Sequence, residues 1–392
     1  MPVPGDASPR GPLDGLLVAD FSRVLAGPYA TMLLADLGAE VIKVEAPGGD
    51  DTRTWVPPER DGVSTYYLAI NRNKRSISLD LADPDDLAAA RELANRADIM
   101  IENFKPGGLR RFGLDYETVS ERNATIIYAS ISGFGTAEGA SLPGYDLLVQ
   151  AASGLMSLTG DQDGPGYRAG ISVFDVMTGM HAAIGILSAL HHRDSTGAGQ
   201  HIEVNLLSSA LSALVNHTSA YVAGNTVPSR MGNAHPSLFP YEPLPTADRD
   251  LIIIAGNDGQ FRILCRELGL DGLPEDARFA HNEDRTRNRE QLRPLLVDKL
   301  KQRTADEWFA KLSAAGVPCG PINHVDGGVA LATRLGLDPV VEVGEGTDAV
   351  PVIRNPITFG TTPTRHVLAP PRLNEHGADI RAWLATPNTE DR

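Results

Sequence analysis

The sequence predicts an α/β protein: a large domain with a mostly parallel, helix-covered sheet, followed by a second, smaller α/β region. Three observations predict it. Short apolar runs alternate with helix-period segments from Leu16 to Asn205. A stretch rich in Pro, Gly, Asn and Ser, 225–245, then interrupts the pattern, and a second alternating series follows it. The chain, at 392 residues, is longer than the roughly 250–300 that one hydrophobic core serves.

Leu16-Leu17-Val18-Ala19-Asp20-Phe21 reads as the first strand, with the loop Ser22–Pro28 and a helix from Tyr29 to Leu37 after it. Gly38 closes that helix, and Val41–Glu45 starts the next strand, completing a βαβ unit. Ser76–Leu79, Ile99–Ile101 and Thr125–Ser130 read as further strands. Asp83 and Pro84 supply an N-cap and first position for a helix running to about Arg96. Asp146 is expected to cap a helix from Leu147 to Gly154. A long apolar-periodic helix is expected from about Asp175 through His191, then a strand at Gln200–Asn205 and one helix from Leu206 to about Val222. The smaller region reads as a strand at Leu251–Ala255, helices at Gly259–Leu268 and Arg287–Gln302, and one opened by the capping box Thr304/Glu307. Short strands at Val340–Val343 and Val350–Ile353 and a helix at His376–Leu384 end the chain.

A net charge of −15 disfavours nucleic acid and anionic membrane as partners, so an anionic ligand needs a local basic patch. Cys265 and Cys319 are too few for a disulfide framework and are not spaced as metal ligands. No stretch reaches about 18 uninterrupted apolar residues. Met1–Gly15 carries Asp6, Asp14 and several prolines with no apolar run. A cytoplasmic protein is expected, with no metal and no tightly bound cofactor.

In such a sheet, ligands sit beyond the carboxyl ends of the strands. The first strand–helix turn, Val24-Leu25-Ala26-Gly27-Pro28, lacks the G-x-G-x-x-G that brings a pyrophosphate to the backbone, which counts against a dinucleotide. No G-x-S-x-G elbow, P-loop or Cys–His pairing is present. Two basic clusters lie near strand ends, Asn71-Arg72-Asn73-Lys74-Arg75 and Asn103–Arg111, the second offering Phe104 as a face for an adenine. Tyr145 and the loop histidine His235 are further candidates. Asp175 starts a helix, where unpaired N–H groups and the macrodipole favour its ionised form. It is then either a nucleophile or a cap.

Taken in order, these pieces resemble the family III CoA-transferases, a group that also includes α-methylacyl-CoA racemase. The resemblance runs from Leu13-Asp14-Gly15 to Glu375-His376. It rests on Ala26-Gly27-Pro28, Leu37–Glu45, Asn73–Ile77, Glu102–Gly107, Gly133-Phe134-Gly135, the Asp175 segment and Thr196–Gln200. It implies a Rossmann-like large domain, 1–224 completed by 326–392, a small α/β domain at 225–325, and an interlocked homodimer. It implies a catalytic aspartate at Asp175, and coenzyme A contacts at Val24, Ala26, Leu79, Asn103, Phe104 and Arg111.

Where some members carry phosphate-binding Arg and Lys residues, this chain has Ala46 and Ala82; Arg72, Lys74 and Arg75 are the candidates to replace them. Racemases of the family place a His where Tyr145 stands. A phenol, which ordinarily titrates near pH ~10, is a poor base at neutral pH, so transfer is preferred over isomerisation. The Arg53-Thr54-Trp55, Leu206–Ser209 and Ala234–Tyr241 segments look most like the succinyl-CoA:glutarate type, with His235, Arg23 or Arg53 set to pair with the distal carboxylate of a dicarboxylate acceptor. A racemase-like isomerase and a CoA-binding protein without catalysis are the competing readings.

Overall fold

In the computed structural model, residues 11–387 are described. Six strands form one wholly parallel sheet: β1 (Leu17–Asp20), β2 (Glu40–Glu45), β3 (Lys74–Ser78), β4 (Ile99–Glu102), β5 (Ile127–Ser132) and β6 (Gln200–Asn205). Their spatial order is β3-β2-β1-β4-β5-β6. This is the doubly wound order, and its direction of growth reverses between β1 and β4. In doubly wound sheets ligands bind at such a reversal, which here is the edge beyond Asp20 and Glu102. Buried on both faces, β1, β2, β4 and β5 read as apolar runs because helices cover them.

The helix 84–96 starts where the sequence placed it, with the Asp83 carboxylate accepting from the Asp85 and Asp86 amides. The helix Val173–Thr196 is long and apolar enough to cross a membrane by composition, but Phe174, Thr178, Gly179, Ala182, Ala183, Ile186, Ala189 and Leu190 are buried within the protein. It packs closely on the helix Ala26–Asp36. A Cβ at Gly179 would lie 2.6 Å from the Ala26 carbonyl oxygen, which only glycine avoids.

The chain divides into two compact units. Among the described residues, the larger comprises 11–154, Ala169–Thr226 and 338–387; the smaller comprises Leu155–Arg168 and Val227–Leu337. Two segments thus fall elsewhere than the sequence boundaries put them. Residues 155–168 join the smaller unit, where the Gly160 carbonyl accepts from Gly232 N–H, and the return to the larger unit comes at Asp338 instead of 326.

The smaller unit is built on an antiparallel sheet of Tyr241–Pro245, Asp250–Ile254 and Cys319–Pro321. Phe239, Phe261, Leu264, Phe279, Leu296 and Trp308 fill its core. The 241–245 strand lies inside a stretch the sequence reads as loop. Its prolines are tolerated because it is an edge strand, with N–H groups to spare on its open side. The single helix expected over 206–222 is two, Leu206–Ala213 and Asn216–Val222, broken at Val215 with φ of 39°. That expected over 287–302 is the helix Arg289–Leu300, and a separate short helix, Asn282–Arg287, precedes it. The Thr304/Glu307 capping box is present.

Candidate active site

At the switch point, the loop after β1 is tied to the loop after β4. The Asn103 side chain accepts from Arg23 N–H at 3.0 Å and donates to Arg23 O at 2.7 Å. Beside it, Phe104 is half-buried against the core, and its N–H donates to the Glu102 carboxylate. Arg111 is exposed, with its guanidinium 4.5 Å over the Phe112 ring, and Lys105 is also exposed. Ala26 and Leu79 are each 2% exposed, so only their backbone can face a ligand.

In the other basic cluster two of the three cations are buried and paired within the protein, which the sequence reading did not expect. The Arg72 guanidinium is buried and grips both oxygens of Asp36. Lys74 is fully buried, its Nζ donating to Asp20 Oδ2 at 3.1 Å, Pro28 O and Asn71 Oδ1. Arg75 is half-exposed and pairs with Glu40 at 2.7 Å. Arg53 is likewise committed. It binds Glu45 through two nitrogens, donates to Tyr67 Oη and Pro371 O, and lies 3.9 Å over the Tyr67 ring. It is not available to pair with a substrate carboxylate. Arg23 remains exposed, 3.6 Å from Asp51. His235 lies in the smaller unit, its ring 5.0 Å from that of Tyr241 and its Nδ1 accepting from Ser237 N–H.

Asp175 is the third residue of the 173–196 helix, as the sequence placed it, but the helix start is not as expected. Asp146 begins the helix Asp146–Ala152 without capping it. Its carboxylate instead crosses to the 173–196 helix, where Oδ1 accepts from Phe174 N–H at 2.8 Å and Asp175 N–H at 3.2 Å. Val173 N–H and Val176 N–H go to the Ile171 and Ser172 carbonyls. All four amides of the first turn are thus occupied within the protein.

Two consequences follow. The Asp175 side chain accepts no hydrogen bond among the described residues, and burial, with the Asp146 charge nearby, pushes its pKa up to about 7. The expected stabilisation of the anion by helix-start amides is overturned, because Asp146 has taken them. These amides are also unavailable as an oxyanion hole.

The loops holding this corner depend on glycine. A Cβ on Gly133 would fall 2.3 Å from the Gly144 Cα, so the Gly133-Phe134-Gly135 turn and the Pro143–Asp146 turn meet backbone to backbone. Tyr145, between them and the helix, is 66% exposed and open to a ligand. Sequence reasoning missed Tyr66. Its hydroxyl is hydrogen-bonded to Ser172; burial, together with Asp175 and Asp146, raises its pKa, so the phenol keeps its proton beside Asp175. Trp55 packs its ring edge-on, 5.2 Å from that of Tyr66. The nearest sequence signal was Ser64, which caps the short Thr65–Ile70 helix carrying Tyr66.

The site thus combines a half-buried carboxylate that accepts no hydrogen bond among the described residues with a phenol that keeps its proton, in a unit built on a doubly wound sheet. Comparison with known proteins gives the class: a CoA-transferase, an enzyme whose substrates are CoA thioesters. The chain belongs to CoA-transferase family III, whose family profile matches residues 13–377. A succinate–glutarate CoA-transferase of Agrobacterium fabrum is 43% identical over 96% of this chain and 96% of its own. An acetyl-CoA:oxalate CoA-transferase of Acetobacter aceti is 39% identical over 98% of each. The crystal structure of a CAIB/BAIF family protein from Brucella suis superposes with a TM-score of 0.86 at 43% identity, over 96% of this chain and all of that one.

Proposed function

We propose that the protein moves CoA from an acyl-CoA donor to a dicarboxylate acceptor such as glutarate or succinate, with Asp175 as the covalent carrier. The observation that carries the reading is the Asp175 carboxylate itself, which is half-buried at a helix start, accepts no hydrogen bond among the described residues and is pushed by burial to a pKa of about 7. A carboxylate engaged in a cap or ion pair would be a poor nucleophile; this one is not engaged. The dicarboxylate preference is supported by the relatives named for succinate and glutarate.

In the first step an oxygen of ionised Asp175 attacks the thioester carbonyl. A C–O bond forms, the C–S bond breaks, and CoA leaves as thiolate, giving an acyl–aspartyl anhydride. The thiolate then attacks the aspartyl carbonyl, forming an aspartyl–CoA thioester and expelling the donor acid as carboxylate. The acceptor carboxylate runs both steps in reverse, so no net proton is transferred. With the helix amides occupied, the Tyr66 hydroxyl, hydrogen-bonded to Ser172 and kept protonated near Asp175, is the proposed donor for the developing oxyanion. The nucleotide end is assigned to Val24, Asn103, Phe104 and Arg111, with Lys105 and Arg111 taking the phosphate role that buried Arg72 and Lys74 do not fill.

The active form is proposed to be the interlocked homodimer. The face of the 173–196 helix opposite its buried side supports this, since Met180, Ile184 and Leu187 stand 42%, 59% and 38% exposed.

Hydroxylamine added during turnover with succinyl-CoA should leave an aspartyl hydroxamate, located at Asp175 by peptide mass spectrometry. A turning-over enzyme that yields no adduct there refutes the covalent carrier. Exchange of the substrate α-proton with solvent deuterium in the absence of acceptor acid would instead identify an isomerase.

A further inference from the structure

The loop between β1 and the first helix is held at five successive backbone groups by side chains alone. Ser22 N–H donates to Asp20 Oδ1, and Ser22 O accepts from Lys43 Nζ at 3.1 Å. Arg23 N–H and O are bound by Asn103. Val24 N–H is shared between the two oxygens of Asp50 at 3.3 and 3.4 Å. Val24 itself has φ of 68°, in the left-handed region, where a β-branched residue is strained.

A strained conformation persists only when its surroundings over-determine it. Asp50 does so from inside. It is 4% exposed, its Oδ2 takes Lys43 Nζ at 2.9 Å, and its Oδ1 takes both Thr52 N–H and Thr52 Oγ1. Lys43 is fully buried in β2, so one lysine anchors the loop at Ser22 and, through Asp50, at Val24.

We propose that Asp50, held by Lys43, is a positioning residue that forces Val24 into its left-handed conformation and so preforms the switch-point loop for the nucleotide end of CoA. This rests on the CoA reading above. Asp50 touches no ligand and acts only through the loop backbone. The role differs from generic structural support because it depends on the side chain at position 24. With glycine there, the left-handed conformation carries no steric penalty and the clamp becomes dispensable.

Hydrogen exchange on the full chain without ligand comes first. The peptide containing Val24 should be protected already, with added coenzyme A slowing it by less than about threefold. Exchange at open-loop rates until coenzyme A is added would overturn the proposal, because the ligand would then be making the loop. Coenzyme A affinity is measured next, by calorimetry. Asp50→Ala should weaken binding by about tenfold or more, and Asp50→Asn, which keeps an acceptor for Val24 N–H, by less. In a Val24→Gly background the Asp50→Ala effect should shrink to about threefold or below. Equal losses in both backgrounds would overturn the proposal. If Asp50→Ala does not fold, the exchange result on the unaltered chain decides. A wild-type chain that binds no coenzyme A sinks the CoA reading, while the exchange measurement still judges the clamp.

Discussion

Asp20 and Asp175 sit in the same unit, one at the end of β1 and one at the start of a helix, and they have opposite fates. Burial by itself would raise the pKa of each. At Asp20, Lys74 and Lys43 together with the Ser22 and Thr31 hydroxyls more than offset burial, so the carboxyl is held below its usual range. At Asp175 nothing offsets it, and Asp146 adds a like charge while consuming the amides that could have helped. A carboxylate with its charge fully compensated is structural; one left uncompensated is available for chemistry.

Removing each group should therefore cause a different kind of failure. Asp175→Ala should lower turnover by about 10⁴-fold or more while coenzyme A binding, followed by calorimetry, survives. Substantial residual transfer would erase the distinction. Lys74→Met strands Asp20 in the core and should cost about 3–5 kcal/mol in urea unfolding. A loss under about 1 kcal/mol would mean that Lys43 alone suffices.

The pH dependence sharpens the contrast. In the proposed mechanism Asp175 attacks as the anion, so kcat/KM should fall with decreasing pH below about 7, and Asp146→Asn should move that limb to lower pH by removing the like charge. An unmoved limb would show that another group titrates.

Stability runs the other way. A carboxyl whose folded pKa is raised favours folding while protonated and loses that contribution as pH rises through about 7. Asp175→Asn should thus be more stable than wild type at pH 8 by about 1–2 kcal/mol, once solvent screening at this half-buried site is allowed for, with the gap narrowing below about pH 7 and closing only near pH ~4, where the unfolded carboxyl is protonated as well. Smallest of all, Arg75→Ala removes a half-exposed pair with Glu40 and should change unfolding by less than about 1 kcal/mol.

The contrast also explains which parts of the site were legible in the sequence. Asp83-Pro84, Thr304/Glu307 and the placement of Asp175 are local signals, made by residues within one turn of each other, and each appears where it was read. The cap on the 173–196 helix comes from Asp146, 29 positions before Asp175, so a reading of neighbours assigned that carboxylate to its own helix. The two basic clusters look alike in sequence. One is neutralised by Asp20 and Asp36 from elsewhere in the chain, and the other keeps Lys105 and Arg111 on the surface. Tyr66 gave no signal because its importance comes from Ser172 and Asp175, more than a hundred positions away.

The sequence by itself determined the order of strands and helices, since apolar period, caps and turn residues act over a few positions. It also carried the motifs from which the family could be read. Only the tertiary structure decided which charges are silenced and which are left to react. Desolvation and Coulomb interactions depend on distance in space, and the sheet brings Lys43 and Lys74 to Asp20 while leaving Asp175 beside Asp146.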